Sequence, residues 1–192
     1  MQNQTMQHPK LFMLMLGCRP SGRNTEQHDM FFGIGEQVKD LVPAIKAFWP
    51  EAKGNIHVDA WREVTQVNGY SIAVVPREES ATTESTGKLF FLNLGGYKPN
   101  EFDEFHYKML AVATDQAGAV QQAKQTAFYK HTGFKGATSH VDDKFGVDVD
   151  ELHEVKDILP EDVKQHYSLL VKPSESNEED EMRLGYFQLH KL

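Results

Sequence analysis

Residues 10–17, "KLFMLMLG", and residues 88–95, "KLFFLNLG", agree at six of eight positions. At the same spacing beyond each run stands Glu-x-His, "EQH" at 26–28 and "EFH" at 104–106. The ungapped offset of 78 also pairs Val42 with Val120 and Lys46 with Lys124. A phase held over so many positions marks an internal duplication, and a repeat has to be found before a fold is assigned.

Working outward, each phrase is a nearly continuous apolar run ending in Gly, the pattern of a buried strand. A Pro- and Gly-containing loop follows, "CRPSGRNT" in the first copy and "GYKPNEFD" in the second. "HDMFFGIG" and "HYKMLAVAT" then read as second strands, although an apolar run of this length also suits a buried helix. Val38, Leu41, Val42, Ile45, Phe48 and Trp49 fall on one stripe of a 3.6-residue period, which predicts a helix over 36–49 with Trp49 largely buried. Pro43 belongs in its first turn, because an interior proline removes a hydrogen bond and clashes one turn back. Val120, Ala123, Ala127 and Phe128 predict the matching helix over 116–129, with Asp115 as N-cap. "HVDAWREV" at 57–64 then resembles "DVDELHEV" at 148–155, and "YSIAVVP" at 70–76 resembles "YSLLVKP" at 167–173. A competing register sets His57 and Asp59 on His140 and Asp142.

The expected fold class is therefore α+β: two homologous β-β-α-β-β units related by a pseudo-two-fold, in mostly antiparallel sheet with helices on one face. A unit with one helix does not cover its own sheet, so strands of the two units are expected to share one. The boundaries read as 1–76 for the first repeat, 77–87 for a polar linker and 88–173 for a second repeat with insertions. Residues 174–192 read as a solvated acidic turn and a C-terminal edge strand.

Composition narrows the function classes. The net charge is −8 with no basic stripe, which disfavours a duplex nucleic-acid partner, since phosphate neutralisation needs clustered Lys and Arg. The apolar stretch after the N-terminal residues is too short to span a bilayer and lacks a signal-peptide layout, so no membrane partner and a cytoplasmic location are expected. Cys18 is the sole cysteine, which excludes an internal disulfide or a thiolate cluster. No dinucleotide, Walker A, nucleophile-elbow or zincin motif occurs, so no cofactor is assigned.

Gly17, Arg19, Pro20, Gly22, Glu26, His28, Asp29, Trp49, His57 and Asp59 together resemble a bacterial domain of unknown function, the family numbered 1543, whose members carry one or two copies. The second repeat keeps Gly95, Gly96, Pro99, Glu104 and His106. It has Tyr97 in place of Arg19, Glu101 in place of Arg23 and Tyr107 in place of Asp29. The resemblance spans both repeats and implies no established activity.

The candidate residues themselves point to chemistry. Glu26, His28, His57 and Asp59 are the acid–base candidates, without an assigned catalytic role. His28, His57 and Asp59 are also of the right type for Zn²⁺ or Mn²⁺, without an assigned ligand set. The plain alternative is that Glu26 hydrogen-bonds His28 and fixes a loop. Arg19 and Arg23 flank a Pro-Ser-Gly turn and, with Glu26 and His28, form the ligand-binding candidates. Two guanidiniums there suit a carboxylate or phosphate, and their plain alternative is pairing with Glu26 or Asp29. Three function classes follow: a module binding a small anionic molecule or a protein partner through the first repeat, a metal-dependent or His-based acid–base enzyme, and a homo-oligomerisation module.

Overall fold

The first apolar phrase becomes strand β1 (Lys10–Cys18), and it is buried on both faces, which is why it does not alternate. The computed structural model of the chain describes residues 8–80, 84–97, 100–126, 147–176 and 178–192. These form two compact bodies, Met1–Glu84 with Leu159–Leu192, and Ser85–Ile158. The architecture is mixed α+β with antiparallel strand pairing throughout the described registers.

In the larger body β1 is followed by β2 (Gln27–Gly35), helix α1 (Val42–Phe48), β3 (His57–Glu63), β4 (Gln66–Val67), β5 (Tyr70–Pro76) and a helical turn α2 (Arg77–Ser80). The smaller body contains β6 (Lys88–Tyr97), β7 (Glu104–Ala113), α3 (Gln116–Ala123) and β8 (Val147–Glu154). The chain returns to the larger body with α4 (Glu161–His166), β9 (Tyr167–Pro173) and β10 (Arg183–Gln188). Sheet orders are β10-β3-β1-β2 and β4-β5-β9 in the larger body, and β7-β6-β8 in the smaller. The two resembling phrases at 70–76 and 167–173 thus pair with each other, Tyr70 opposite Pro173 and Pro76 opposite Tyr167. That pairing draws residues 159–173 out of the second sequence repeat and into the larger body.

Phe12, Leu14, Leu16 and Cys18 line one face of β1 and pack with Phe31, Val58, Leu41 and Ile45. The helix therefore covers this face, and the other face carries Leu11, Met13 and Gly17. In the smaller body Phe90, Leu92 and Leu94 repeat the arrangement against Ala119 and Ala123 of α3. Asp115 caps α3 by accepting from the Gly118 N–H at 2.8 Å. The expected extension of that helix to residue 129 reaches beyond the described residues, as do the insertion expected over 131–146 and the competing His140 register.

Several expectations are corrected. Pro43 does sit in the first turn of α1, but α1 ends at Phe48, and Pro50 opens a separate 3₁₀ turn (Pro50–Ala52). Trp49 packs against the core as expected, whereas Phe48, on the same stripe, stays 42% exposed with its ring edge-on to Phe31 at 5.4 Å. The polar linker begins as helix α2, whose Arg77 donates to the Lys164 carbonyl at 2.6 Å. The acidic run is not merely solvated. Asp180 accepts from Thr65 N at 2.9 Å, Thr65 Oγ1 at 2.5 Å and Gln66 N at 3.2 Å, which ties the run to the start of β4. No described helix is long and apolar enough to cross a membrane.

Candidate metal centre

Three neighbouring strands bring the central residues together. In register, Gly17 of β1 lies opposite His28 of β2 on one side and His57 of β3 on the other. Gly17 provides the floor between the two imidazoles. A Cβ there would collide with His57 Nε2 and would lie 2.5 Å from Asp59 Oδ2 and 2.9 Å from His57 Cε1. Glycine is needed for space at this position, not for an unusual backbone angle.

Asp59 enters through a β-bulge. The β1–β3 register steps from Met15 opposite Ala60 to Leu16 opposite Val58, leaving Asp59 as the extra residue. The bulge also reverses the alternation. Beyond it Trp61 turns to the helix-covered face, where it packs against the core and meets Phe12 edge-on at 6.1 Å.

The four polar side chains converge. His28 Nε2 lies 3.3 Å from Asp59 Oδ2 and 3.9 Å from Glu26 Oε2, and His57 Nε2 lies 3.1 Å from Glu26 Oε1 and 3.2 Å from Asp59 Oδ1. Each imidazole faces both carboxylates. His57 is the one buried polar side chain of the described core, at 6% exposure, whereas Glu26 and His28 are open to solvent. Asp59 Oδ2 is shut away from solvent yet accepts no hydrogen bond, although His28 Nε2 is only 3.3 Å away.

Arg19 and Arg23 occupy the exposed loop between β1 and β2, and their guanidiniums make no ion pair or hydrogen bond among the described residues. The alternative pairing with Asp29 is not formed, since Asp29 accepts from the Met30 N–H at 2.7 Å. Of the six sequence candidates, Glu26, His28, His57 and Asp59 meet, and the arginines stand on the loop leading to Glu26. A separate open cleft of about 920 Å³ is lined by Lys10, Phe12, Trp61, Glu63, Asp180 and Arg183 among others, and by none of the six.

Two residues of this site carried no signal that reading along the sequence registered. Gly17 was legible as a strand end but not as the floor between two histidines. Tyr186 of β10 stacks on His57 with ring centroids 4.3 Å apart, tilted by 32°. Burial pushes the Cys18 thiol up from its ordinary value, and the Glu26 charge adds to the shift, so Cys18 behaves as a core residue.

Residues 23–74 match the model of the Domain of Unknown Function DUF1543. Among curated proteins no relative matches. Among solved structures the chain is similar to protein Il1583 from Idiomarina loihiensis, at 21% identity, with 94% of this chain and 97% of that one covered and a TM-score of 0.63. That likeness shows a shared fold.

Proposed function

Starting from a chain that carries a DUF1543 domain over residues 23–74, we propose that its larger body is a divalent-metal-binding module with Glu26, His28, His57 and Asp59 as the protein donors. The carrying observation is the Asp59 carboxylate set between two imidazoles, Oδ1 beside His57 and Oδ2 beside His28, with Oδ2 solvent-shielded and without a hydrogen bond. An unsatisfied buried acceptor costs about 1–3 kcal/mol, and a cation removes that cost. The nitrogen–oxygen separations of 3.1, 3.2 and 3.3 Å also suit the case. Donors about 2.0–2.2 Å from one ion stand about 3.0–3.5 Å apart along a coordination edge. Two imidazoles and two carboxylates favour Zn²⁺ and its neighbours over Ca²⁺ or Mg²⁺.

Arg19 and Arg23 favour a small anionic ligand as the molecule the module receives. Their guanidiniums are exposed and without partners among the described residues, on the loop that delivers Glu26. An acid–base role for His28 or His57 competes with this reading, because an imidazole that ligates a metal has no free lone pair at that nitrogen. The two repeats further support descent from a duplication, with β1–β2–β3 and β6–β7–β8 sharing strand order and bulge position. An experimental structure in which those triples differ in order or bulge would overturn it. A bacterial, cytoplasmic setting belongs to the same reading, supported by the family resemblance and the single buried thiol.

Thermal shift on chelator-stripped protein tests the metal assignment. Zn²⁺ should raise Tm, because a ligand specific to the folded state stabilises by mass action. His28→Ala and Asp59→Asn should lose most of the shift. Equal stabilisation of wild type and both variants would refute the assignment.

A further inference from the structure

The smaller body holds a constellation of its own. His106 Nε2 lies 3.3 Å from Asp150 Oδ2 and 4.0 Å from Glu104 Oε2. One donor atom from each of Glu104, His106 and Asp150 lies within 4.8 Å of the others. Gly95 is the floor, opposite His106 in register, and a Cβ there would collide with Asp150 Oδ2. Asp150 is again the extra residue of a bulge, with Asn93 opposite Glu151 and Leu94 opposite Val149.

We infer that Glu104, His106 and Asp150 form a second divalent-cation site, richer in oxygen than the first and correspondingly biased toward a harder ion such as Mn²⁺. Three observations carry this. Glycine floor, strand-opening Glu-x-His and bulge aspartate recur together at the same register positions in a second compact body. An accidental ion pair reproduces one of these features, and not all three. Second, Tyr97 stands directly opposite Glu104 across β6 and β7, so a phenol borders that carboxylate on the same sheet face. Third, the register position that His57 fills opposite Gly17 is filled opposite Gly95 by Asp148. The set therefore has one imidazole fewer, and sets poorer in imidazole suit Mn²⁺ and Mg²⁺ where imidazole suits Zn²⁺. The three side chains are all partly exposed, so water or a ligand completes the coordination. The inference does not rest on the larger body's site.

The test is Mn²⁺ titration of the chelator-stripped full chain, read by electron paramagnetic resonance of the free ion, with Zn²⁺ binding measured in parallel. Wild type should bind one Mn²⁺ that His57→Ala retains. Asp150→Asn and Glu104→Gln, both partly exposed and each checked for folding by circular dichroism, should weaken it at least about tenfold. No Mn²⁺ binding up to about 1 mM, the weak end for oxygen-donor sites, overturns the inference. So does Mn²⁺ bound equally by wild type and both variants. Zn²⁺ lost in His57→Ala while Mn²⁺ never binds leaves the first site standing alone, and the converse leaves only the second.

Discussion

Gly17→Ala isolates the geometry on which the larger body's site depends. The new Cβ would meet His57 Nε2 and lie 2.5 Å from Asp59 Oδ2. Atoms this close must separate by most of an ångström. His57 has little room to yield, since its side chain is only 8% exposed and Tyr186 stacks on its ring. Forcing one methyl into a packed site costs about 1–3 kcal/mol. The lower backbone entropy of alanine in the unfolded chain returns about 0.4–1 kcal/mol. The net effect is a loss of about 1–2 kcal/mol, read from urea denaturation of the chelator-stripped protein. The larger effect falls on metal binding, because two of the four donors are pushed off a common centre. Misorienting supporting groups alone weakens sites about 10–100-fold, and misplacing ligands should do at least as much. Competition against a chromophoric chelator measures it for Zn²⁺. Gly95→Ala, in the other body, is the control that should leave this affinity unchanged. A Gly17→Ala protein with wild-type zinc affinity would refute the floor argument outright.

Other expectations are independent of metal. Leu14, fully buried in the core beneath α1, should lose about 2–5 kcal/mol on Leu14→Ala in urea denaturation. A loss below that range would mean the strand face was misjudged. Asp180→Ala leaves the N–H groups of Thr65 and Gln66 and the Thr65 hydroxyl without their acceptor, so a cost of about 1–3 kcal/mol is expected, with accelerated amide exchange at Thr65 and Gln66. Unchanged exchange there would show that the acidic run does not hold β4. In chelator-treated protein, the absorbance difference between wild type and Tyr97→Phe should show a phenol ionising above 10.0, and Glu104→Gln should bring it down. Interaction with the Glu104 carboxylate favours the protonated phenol, so its contribution is present below the ordinary tyrosine range and is lost as pH rises through the raised value. Ionisation at or below 10.0 would show that Tyr97 does not interact with the Glu104 carboxylate opposite it.

The strands were legible because their information is local. The apolar phrases, the Glu-x-His spacing and the preferred register of "HVDAWREV" on "DVDELHEV" all reappear in the pairing, with Trp61 opposite Leu14 and Leu152 opposite Leu92. That strands of the two repeats share a sheet was legible, and β5 beside β9 is that sharing. Which strands would pair was not, because two resembling strands announce kinship and leave their partners unstated. Phe48 lies on the 3.6-residue stripe yet stays exposed, because α1 ends at that residue and Pro50 restarts the backbone in a different turn. The site's residue types were readable, and so was the shared face of His57 and Asp59. The bulge was not, because one extra residue in a strand changes no composition and no spacing. Strict alternation sends Trp61 to the histidine face, whereas the structure puts it in the core with Phe12. Nor did local pattern reach Tyr186, which comes from the opposite end of the chain.

The bulge also argues against a merely structural reading of the histidines. A His–carboxylate pair that fixes a loop needs one imidazole, one carboxylate and a hydrogen bond between them. Here the strand gives up regular pairing at Asp59, and glycine clears the space beside it, yet Asp59 Oδ2 ends without a hydrogen bond. The smaller body repeats the bulge and the glycine around Asp150. Bulges re-aim side chains, and a side chain re-aimed away from its nearest donor is satisfied by something placed between them. In the larger body that something must suit two imidazole nitrogens and two carboxylates at once. A single water donates only two hydrogen bonds and leaves part of that set unmet, whereas one divalent cation satisfies all four.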